Sequence, residues 1–500
     1  MTEIQPQKIV PQKIVIVGGG TAGWIAAASL ARFLPAQRHA ITLIESDEIG
    51  IVGVGEATIP QIRLLNAALG LDEAAFMRAT GATYKLGIEF AGWGRADSRY
   101  MHAFGGVGRA TGPIAFHHFW LRGQHLGETA PLDAYAPNAQ AGWTNRFDKP
   151  AAGGTDLPYA FHFDASLFSR HLRSWAEPRG VNRVEGRIVS VERDGESGDV
   201  RSVTLADGQV IAGDVFIDCS GFRGLLIEGA LGTGYEDWTH WLPCDRALAV
   251  PCASATPLTP YTRSTAQGAG WQWRIPLQHR TGNGHVYCSA YTSDDEAARV
   301  LLDNLDGKAL ADPRPIRFAT GRRRAFWNHN VVALGLAAGF LEPLESTSIH
   351  LVQSAVERVI RYLPQGPIQP ADRAAYNAET VFEWERVRDF IILHYHLNAR
   401  DEPFWRECAA MPVPDSLTEK LDLFRANGRI TRFNEELFAE VGWLQVMVGQ
   451  GLMPQGYHPL ADAREPGEVR ELLALMRQVI QRQVSAMPDH AAYIARHCAA

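Results

Sequence analysis

A glycine-rich turn close to the amino end constrains the fold more than any other feature of the sequence. It follows a β-branched run at residues 13–17 and precedes an alanine-rich amphipathic stretch at residues 25–34. Gly18, Gly20 and Gly23 give the spacing G-x-G-x-x-G. The first glycine permits a tight turn, the second admits a pyrophosphate close to the backbone, and the third lets the helix pack on the strand. With free N–H groups at the helix start to bind the anion, the pattern predicts a dinucleotide-binding unit.

The next predicted strand indicates which dinucleotide is bound. It covers residues 40–44 and ends at Glu45, about twenty residues after the turn, where a ribose-binding carboxylate is expected. An acid here argues against a 2′-phosphate, which leaves FAD or NAD. No second fingerprint for a nicotinamide is visible, and apolar strands enter small-residue turns again at residues 214–221 and 330–339. A dinucleotide fold assembled from such distant segments is typical of FAD enzymes.

Composition excludes several other classes of protein. The chain has 500 residues, 46% of them apolar and 21% charged, and a net charge of −7, which excludes disordered, collagen-like and coiled-coil chains. The densest basic run is only Arg322, Arg323 and Arg324, so nucleic acid is not an expected partner. The six cysteines include no C-x-x-C pair, which predicts no metal site and suits a reducing compartment.

Neither a secretory signal nor a membrane span is expected. The first thirteen residues are polar and lack the apolar core of a signal peptide. The longest apolar stretch, residues 331–341, is about half the length that a bilayer requires. The sequence therefore predicts a cytoplasmic protein that does not interact with membranes.

Short motifs from distant parts of the chain agree with one another. They are Gly18-Gly19-Gly20-Thr21-Ala22-Gly23-Trp24, Gly53-Val54-Gly55-Glu56-Ala57-Thr58 and Trp271-Gln272-Trp273-Arg274-Ile275-Pro276, with further matches at residues 83–88, 218–223 and 340–347. Through these motifs the chain resembles the flavin-dependent tryptophan halogenase family. In that family the three motifs are the opening loop, a flavin-contacting strap and a W-x-W-x-I-P signature. The resemblance runs from the first strand to about residue 410.

The resemblance implies a two-component reaction. FAD, reduced to FADH2 by a separate flavin reductase, reacts with oxygen and a halide, chloride or bromide, to give hypohalous acid. This oxidant travels inside the protein to an electron-rich arene. Trp271 and Trp273 of the signature are associated with suppressing ordinary monooxygenation. The expected partners are thus the reductase and a small aromatic substrate. Whether the protein forms a homodimer stays open.

The resemblance also implies the fold class. We expect an α/β fold whose core is an FAD/NAD(P)-binding Rossmann-like domain of the flavin monooxygenase type. Residues 1–354 are expected to form this discontinuous domain, with substrate-site and halide-site segments inserted at about 85–157 and 240–320. Residues 355–500 are expected to form a mainly helical domain that covers the substrate. Residues between 105 and 157, dense in Gly, Pro and Ala, are interpreted as loops that cap the arene site.

Two residues are expected to carry the catalysis. Lys85 lies in an apolar, aromatic-rich stretch, where desolvation would depress its pKa. By resemblance it is the catalytic lysine, which hydrogen-bonds hypohalous acid or is halogenated by it and so delivers the halogen to one carbon. By resemblance Glu345 faces Lys85 across the arene site and polarises the oxidant or accepts the ring proton. Glu345 also precedes a helical pattern, where an acid compensates the helix dipole.

The remaining site residues follow from the same resemblance. Thr347 and Ser348, at a helix start with unsatisfied N–H groups, are expected to bind the halide; the tryptophan-specific members usually have glycine in place of Ser348. Besides the three glycines and Glu45, the expected flavin contacts are Thr21, Ala22, Gly53, Ala57, Ile188, Leu336 and Ile349.

Three residues are expected to contact the substrate. His102 and Phe104 resemble the family's indole-sandwiching pair, which holds a flat ring for attack at its edge. Trp443 is the candidate arene lid. The tyrosine pair and the acid with which tryptophan-specific members hold the amino acid backbone are not recognisable. Because a desolvated zwitterion requires such partners, a free indole or an indole-like arene is the hypothesised substrate.

Two other functions stay open at this point. An aromatic hydroxylase would use the same activated flavin without halide, although hydroxylases usually carry Gly-Asp where this chain has Gly335 and Leu336. A non-catalytic flavin-binding protein would have no reason to keep Lys85 and Glu345 in their motifs.

Overall fold

The computed structural model describes residues 10–48, 55–110, 112–149 and 157–500. Gly53, an expected flavin contact, lies outside the described residues. In chain order the strands are β1 (Gln12–Val17), β2 (His39–Glu45), β3 (Gly55–Ala57), β4 (Thr83–Lys85), β5 (Gly87–Ala91), β6 (Arg99–Ala103), β7 (Ala160–Asp164), β8 (Asn182–Glu185), β9 (Ile188–Arg193), β10 (Val200–Leu205), β11 (Val210–Ala212), β12 (Val215–Asp218), β13 (Tyr235–Asp237), β14 (Arg246–Cys252), β15 (Thr262–Gln267), β16 (Gly270–Pro276), β17 (Thr281–Tyr287), β18 (Arg314–Arg317), β19 (Gly321–Arg323), β20 (Trp327–Asn328), β21 (Val331–Ala333) and β22 (Gly339–Phe340).

The α-helices are α1 (Thr21–Phe33), α2 (Ile62–Leu69), α3 (Glu73–Thr80), α4 (Phe116–His125), α5 (Pro137–Trp143), α6 (Ala165–Ala176), α7 (Asp294–Asp303), α8 (Ser348–Tyr362), α9 (Pro370–His396), α10 (Pro403–Ala410), α11 (Asp415–Asn427), α12 (Glu440–Gly449), α13 (Pro466–Ser485) and α14 (His490–His497). Several begin where the sequence supplies a cap or a proline. Asp164 accepts hydrogen bonds from the N–H groups of Ser166 and Leu167 at the start of α6, and Pro370 starts α9 behind a capping box, as helix starts favour.

A six-stranded sheet in the order β20-β21-β12-β1-β2-β8 forms the nucleotide-binding layer. All its pairings are parallel except the edge pair of β20 with β21. The buried, β-branched β1 leads directly through the glycine turn into α1. The carboxyl ends of β1, β2, β12 and β21 meet at one edge, which is where ligands bind in sheets of this type. The predicted Rossmann-like arrangement is confirmed.

The two segments predicted as insertions contribute to one sheet. Its order is β18-β14-β17-β16-β15-β5-β6, in which β5 and β6 come from the first segment and the other strands from the second. A smaller sheet, β3-β7-β4, packs against it through β3. Its strand β4 ends at Lys85. The division of the chain at residue 355 falls within α8, and the domain boundaries stay a prediction.

The segment between residues 105 and 157 is more helical than expected. Its described part contains α4, α5 and a 3-10 turn at Leu132–Tyr135. The interpretation as loops is wrong there because aromatic side chains near the start of α4 bury themselves in the core, and burial of apolar side chains overrides a weak local propensity.

The carboxyl-terminal part is helical, as the sequence predicts, from α8 to α14. The long helix α9 packs on α8, and α12 packs on β6. These contacts bring α9 and α12 next to the strand that carries His102. No helix in the described ranges is both long and apolar enough to cross a membrane.

Candidate active site

A cavity of about 880 Å³ opens at the carboxyl edge of the nucleotide-binding sheet. Of the predicted cofactor residues, those that line it are Gly18, Gly20, Thr21, Ala22, Glu45, Ala57, Ile188, Leu336 and Ile349. Trp271, Trp273, Ser346 and Ser348 line the same cavity. The nucleotide loop and the signature motif, which are about 250 residues apart in the sequence, therefore face one common space.

The glycine turn has the shape that a dinucleotide requires. A Cβ on Gly18 would lie 2.3 Å from the carbonyl oxygen of Cys219, and one on Gly23 would lie 1.8 Å from that of Gly18. Gly20 differs, because a Cβ there would meet no atom within 4 Å. Gly18 and Gly23 thus keep the turn tight, and Gly20 leaves bare backbone at the start of α1 for a phosphate to approach.

Glu45 lies at the end of β2, as predicted. Its carboxylate accepts a hydrogen bond of 3.2 Å from Trp24 Nε1 and pairs with Arg183 and Arg173. These contacts fix the carboxylate at the cavity wall. A bare turn, a helix start and an anchored acid beside an open cavity fit the adenosine and pyrophosphate parts of FAD.

Gly20 and Gly23 have different roles in the glycine turn, so alanine substitutions at the two positions are expected to have different effects. Gly20→Ala is expected to fold normally, because the added methyl has room and Gly20 has a φ of −72°, yet to weaken FAD binding about tenfold. Gly23→Ala is expected to lower the free energy of unfolding, because its methyl overlaps backbone. Fluorescence titration with FAD and thermal unfolding by circular dichroism separate the two effects. Unchanged FAD affinity in Gly20→Ala would contradict the assignment.

The signature tryptophans stand in β16, which is buried along its whole length. Trp271 Nε1 donates a hydrogen bond of 2.8 Å to Glu342 Oε2, and Tyr395 OH donates one of 2.5 Å to the same oxygen. Burial raises the pKa of Glu342 to about 7, against the effect of these two donors. Trp271 is therefore held in one orientation by a carboxyl group that the sequence reasoning did not single out.

Lys85 reaches the edge of this cavity through Ser346. The lysine is fully buried, and its Nζ donates a hydrogen bond of 2.7 Å to Ser346 Oγ. Ser346 follows the 3-10 turn Pro343–Glu345 with a φ of 59°, a left-handed conformation that non-glycine residues rarely adopt. Because Ser346 also lines the cavity, it stands between the nucleotide-binding space and the lysine.

Glu345 is clamped between two histidines. His102 Nδ1 lies 2.8 Å from Glu345 Oε2 and 3.0 Å from Oε1, and His394 Nε2 lies 2.8 Å from Oε1. All three side chains are buried. The sequence reasoning missed His394. The signal that could have found it is a polar side chain in the otherwise apolar run Phe390–Leu393 of α9.

The electrostatics of the two predicted catalytic groups differ. Burial lowers the pKa of Lys85 to about 7, although the Glu345 carboxylate opposes the shift. Burial alone would raise the pKa of Glu345, but His102 and His394 outweigh it and hold the pKa at about 2. At neutral pH the site thus holds a carboxylate beside an amine that exchanges its proton readily, a combination typical of catalytic sites.

The structure brings the predicted substrate residues together only in part. Phe104 is half-buried, with its ring centroid 5.4 Å from Lys85 Nζ. Trp443 is buried and meets Phe390, whose ring lies 5.5 Å from that of His102. Phe438, which stacks on Phe390 at 3.8 Å, also lies 6.2 Å from His102, so its ring is near the site.

The expected halide residues start helix α8. Thr347 is its N-cap and Ser348 its first residue, so their N–H groups have no acceptor within the helix. Ser348 lines the cavity, whereas Thr347 is buried. Within the part of the chain that the structure describes, no cluster of His, Cys, Asp and Glu could hold a metal ion.

Comparison with known proteins places this geometry in a family. The tryptophan halogenase family matches residues 13–466. Tryptophan 6-halogenase SttH of Streptomyces toxytricini is 34% identical over 97% of this chain and 98% of its own length. Tryptophan 7-halogenase RebH of Lentzea aerocolonigenes is 35% identical over 89% of this chain and 91% of its own length.

Solved structures agree with the sequence relatives. The flavin-dependent halogenase Xcc4156 from Xanthomonas campestris is 48% identical, with a TM-score of 0.96 over 98% of this chain and 99% of that one. BrvH, a flavin-dependent halogenase from Brevundimonas sp. BAL3, is 45% identical, with a TM-score of 0.94 over 97% and 99%. The comparisons give no support to a hydroxylase or to a non-catalytic flavin protein. The chain belongs to the tryptophan halogenase family and is a flavin-dependent halogenating enzyme.

Proposed function

We propose that this enzyme uses FADH2, oxygen and chloride or bromide to halogenate a neutral, indole-like arene, with Lys85 delivering the halogen. The observation that carries the proposal is the position of Ser346, which lines the nucleotide-binding cavity and accepts the hydrogen bond of Lys85. Ser346 thus connects the cavity in which the oxidant would form to the lysine. Glu345, the preceding residue, lies where it can act on an arene beside the lysine.

Each residue then has a separate task. Bound reduced flavin, with oxygen and a halide, supplies an electrophilic halogen oxidant. Thr347 and Ser348 hold the halide with the N–H groups at the start of α8. Lys85 binds the oxidant through Nζ and presents it to the arene, which converts a diffusing reagent into a positioned one. Glu345 accepts the proton that the ring loses.

The carboxyl-terminal segment supports a neutral substrate. Phe438 belongs to the connection between α11 and α12. That connection holds two acids: Glu435 is exposed, whereas Glu436 is buried and is neutralised by Lys420 at 3.1 Å. Lys420 also donates a hydrogen bond of 2.6 Å to Thr431 O. The buried acid therefore has no free charge for the ammonium group of an amino acid, and a zwitterion that lost its hydration in the site would lack that compensation.

Tryptophan is the alternative substrate, because the names of SttH and RebH specify it for those proteins. The test is a competition assay in which equal concentrations of indole and tryptophan are incubated with the enzyme, FAD, a flavin reductase, NADH, air and bromide or chloride. Mass spectrometry is expected to show mainly monohalogenated indole. Preferential halogenation of tryptophan would overturn the neutral-substrate proposal, and parallel reactions rank the two halides.

A separate reductase is part of the proposal. The sequence contains a fingerprint for one dinucleotide, and that site is assigned to FAD, so NADH has no site of its own there. The isolated enzyme is expected to oxidise NADH no faster than a buffer control and to become active once reductase is added. Whether it works as a homodimer stays a prediction that analytical ultracentrifugation tests.

A further inference from the structure

His394 holds a defined position between its own helix and the catalytic carboxylate. Its Nδ1 lies 2.7 Å from the carbonyl oxygen of Phe390, and its Nε2 lies 2.8 Å from Glu345 Oε1. The ring has no exposed surface, and the rings of Phe90 and Trp93 pack against it at 4.8 and 6.0 Å. Water therefore does not decide which of the two ring nitrogens carries a proton.

The two contacts fix where the protons are. A backbone carbonyl oxygen only accepts hydrogen bonds, so His394 Nδ1 must carry its hydrogen. In a neutral ring, the unprotonated Nε2, which carries a partial negative charge, would then lie 2.8 Å from an ionised oxygen, which is repulsive. A proton must therefore sit on Nε2 or on Glu345. The Nε2 contact is not aligned as a hydrogen bond, so it acts mainly as a charge pair.

The surrounding groups favour the proton on histidine. The titratable side chains near Glu345 from the packed strands are Lys85 on β4 and Tyr100 and His102 on β6. His102 supplies a second contact to the carboxylate, which further stabilises its ionised form. Glu345 Oε1 thus meets both histidines, whereas Oε2 meets only His102. Oε2 is the oxygen with more freedom to accept another proton.

We propose that His394 is a positioning residue that stays protonated beside Glu345, so that Glu345 enters the reaction as an oriented carboxylate and takes the ring proton on Oε2. The inference rests on the proposed function. As the carbon–halogen bond forms, the oxygen–halogen bond of the oxidant breaks, and the hydroxide that remains takes a proton from the Lys85 ammonium group and leaves as water. The ring C–H bond then breaks, its electron pair restores the aromatic ring, and its proton passes to Glu345. His394 touches neither arene nor oxidant in this scheme.

The first test reads the proton directly and does not require activity. Nitrogen NMR of the full-length protein carrying 15N-labelled histidine is recorded at neutral pH, and the His394 signals are assigned by their loss in His394→Gln. Both ring nitrogens of His394 are expected to be protonated, and Glu345→Gln is expected to convert the ring to a neutral one. A neutral His394 ring in the wild-type protein would overturn the proposal, even if halogenation is confirmed.

The second test measures the role of His394 in turnover. His394→Gln is expected to lower kcat about tenfold to a hundredfold, within the range for proton-transfer groups, with KM for indole little changed. Ring-deuterated indole is expected to react with an isotope effect near unity in the wild type and with a primary effect in the variant, because proton loss becomes slow. His396→Gln, a half-buried histidine on the same helix, is the matched control and is expected to behave like the wild type.

The outcomes separate this inference from the proposed function. If the wild type gives no halogenated indole, the proposed function fails, and the NMR measurement still decides the protonation of His394. If the wild type is active and His394→Gln keeps its kcat and shows no isotope effect, the positioning role is wrong. A KM effect alone would also contradict it, because it would indicate a role in shaping the substrate pocket.

Discussion

Replacing Lys85 with methionine is expected to abolish halogenation and, at the same time, to make the protein more stable. Methionine has a similar length but no amine to hold the oxidant. The ammonium group is fully buried and its pKa falls from 10.5 to about 7, so the folded state pays a desolvation cost whenever the lysine is charged. The variant loses the hydrogen bond to Ser346, and we expect a net gain of about 2 kcal/mol below pH 7.

The pH dependence distinguishes this explanation from improved packing. Below pH 7 both the folded and the unfolded lysine are protonated, so the full cost of burying the charge opposes folding. As the pH rises from about 7 toward 10.5, only the folded state loses its proton, and the stability of the wild type increases. Denaturant unfolding at several pH values is expected to show the advantage of the variant shrinking above pH 7 and reversing at alkaline pH. A difference that does not vary with pH would contradict the account.

Replacing Glu345 with glutamine is expected to reduce kcat at least a hundredfold, because the ring proton loses its acceptor. Its effect on stability has the opposite sign to that of the lysine variant. The pKa of Glu345 falls from 4.5 to about 2 in the folded protein, so the ionised carboxylate contributes stability that is fully present above about pH 4.5 and is lost as the pH falls toward 2. The variant leaves His102 and His394 without their anion.

The expected loss in Glu345→Gln is about 3 kcal/mol at neutral pH, in line with the breaking of a buried ion pair. Urea unfolding at pH 7 and at pH 3 measures it, and the difference from the wild type is expected to shrink at the lower pH. Equal destabilisation at both values would indicate that shape rather than charge is lost. Asp303→Asn, at an exposed pair with Arg299, is a matched control and is expected to change the free energy of unfolding by less than about 1 kcal/mol.

The parts of the site that are local in sequence could be predicted from the sequence. The glycine turn, the strand before it and Glu45 after the next strand follow from spacing rules that operate over about thirty residues. The structure puts all of them at one edge of the six-stranded sheet. The family motifs added Lys85 and Glu345, which the fold brings together at Ser346, the hydrogen-bond partner of the first and the chain neighbour of the second.

The contacts that orient those residues could not be predicted in the same way. His102 and His394 come from a strand and a helix 292 positions apart, and no periodicity in either element indicates that they meet at Glu345. Glu342 lies within a recognised motif, but its hydrogen bond to Trp271 depends on how β16 packs against a distant turn. Such pairings depend on tertiary packing, which local patterns do not specify.

The role of an aromatic side chain is difficult to predict from the sequence. Trp443 is buried against Phe390 rather than placed directly beside His102, and its role as an arene lid stays a prediction. A large aromatic residue serves equally well in a core and in a binding site, so residue type alone does not separate the two.

The most direct test of the central claim is a single assay with two proteins. Wild type and Lys85→Met are incubated with indole, FAD, a flavin reductase, NADH, air and bromide, and the products are separated and identified by mass spectrometry. The account predicts one predominant monobrominated regioisomer from the wild type and no enzymatic product from a folded, FAD-binding Lys85→Met. Hydroxylated indole from the wild type, or the same brominated product from both proteins, would contradict it.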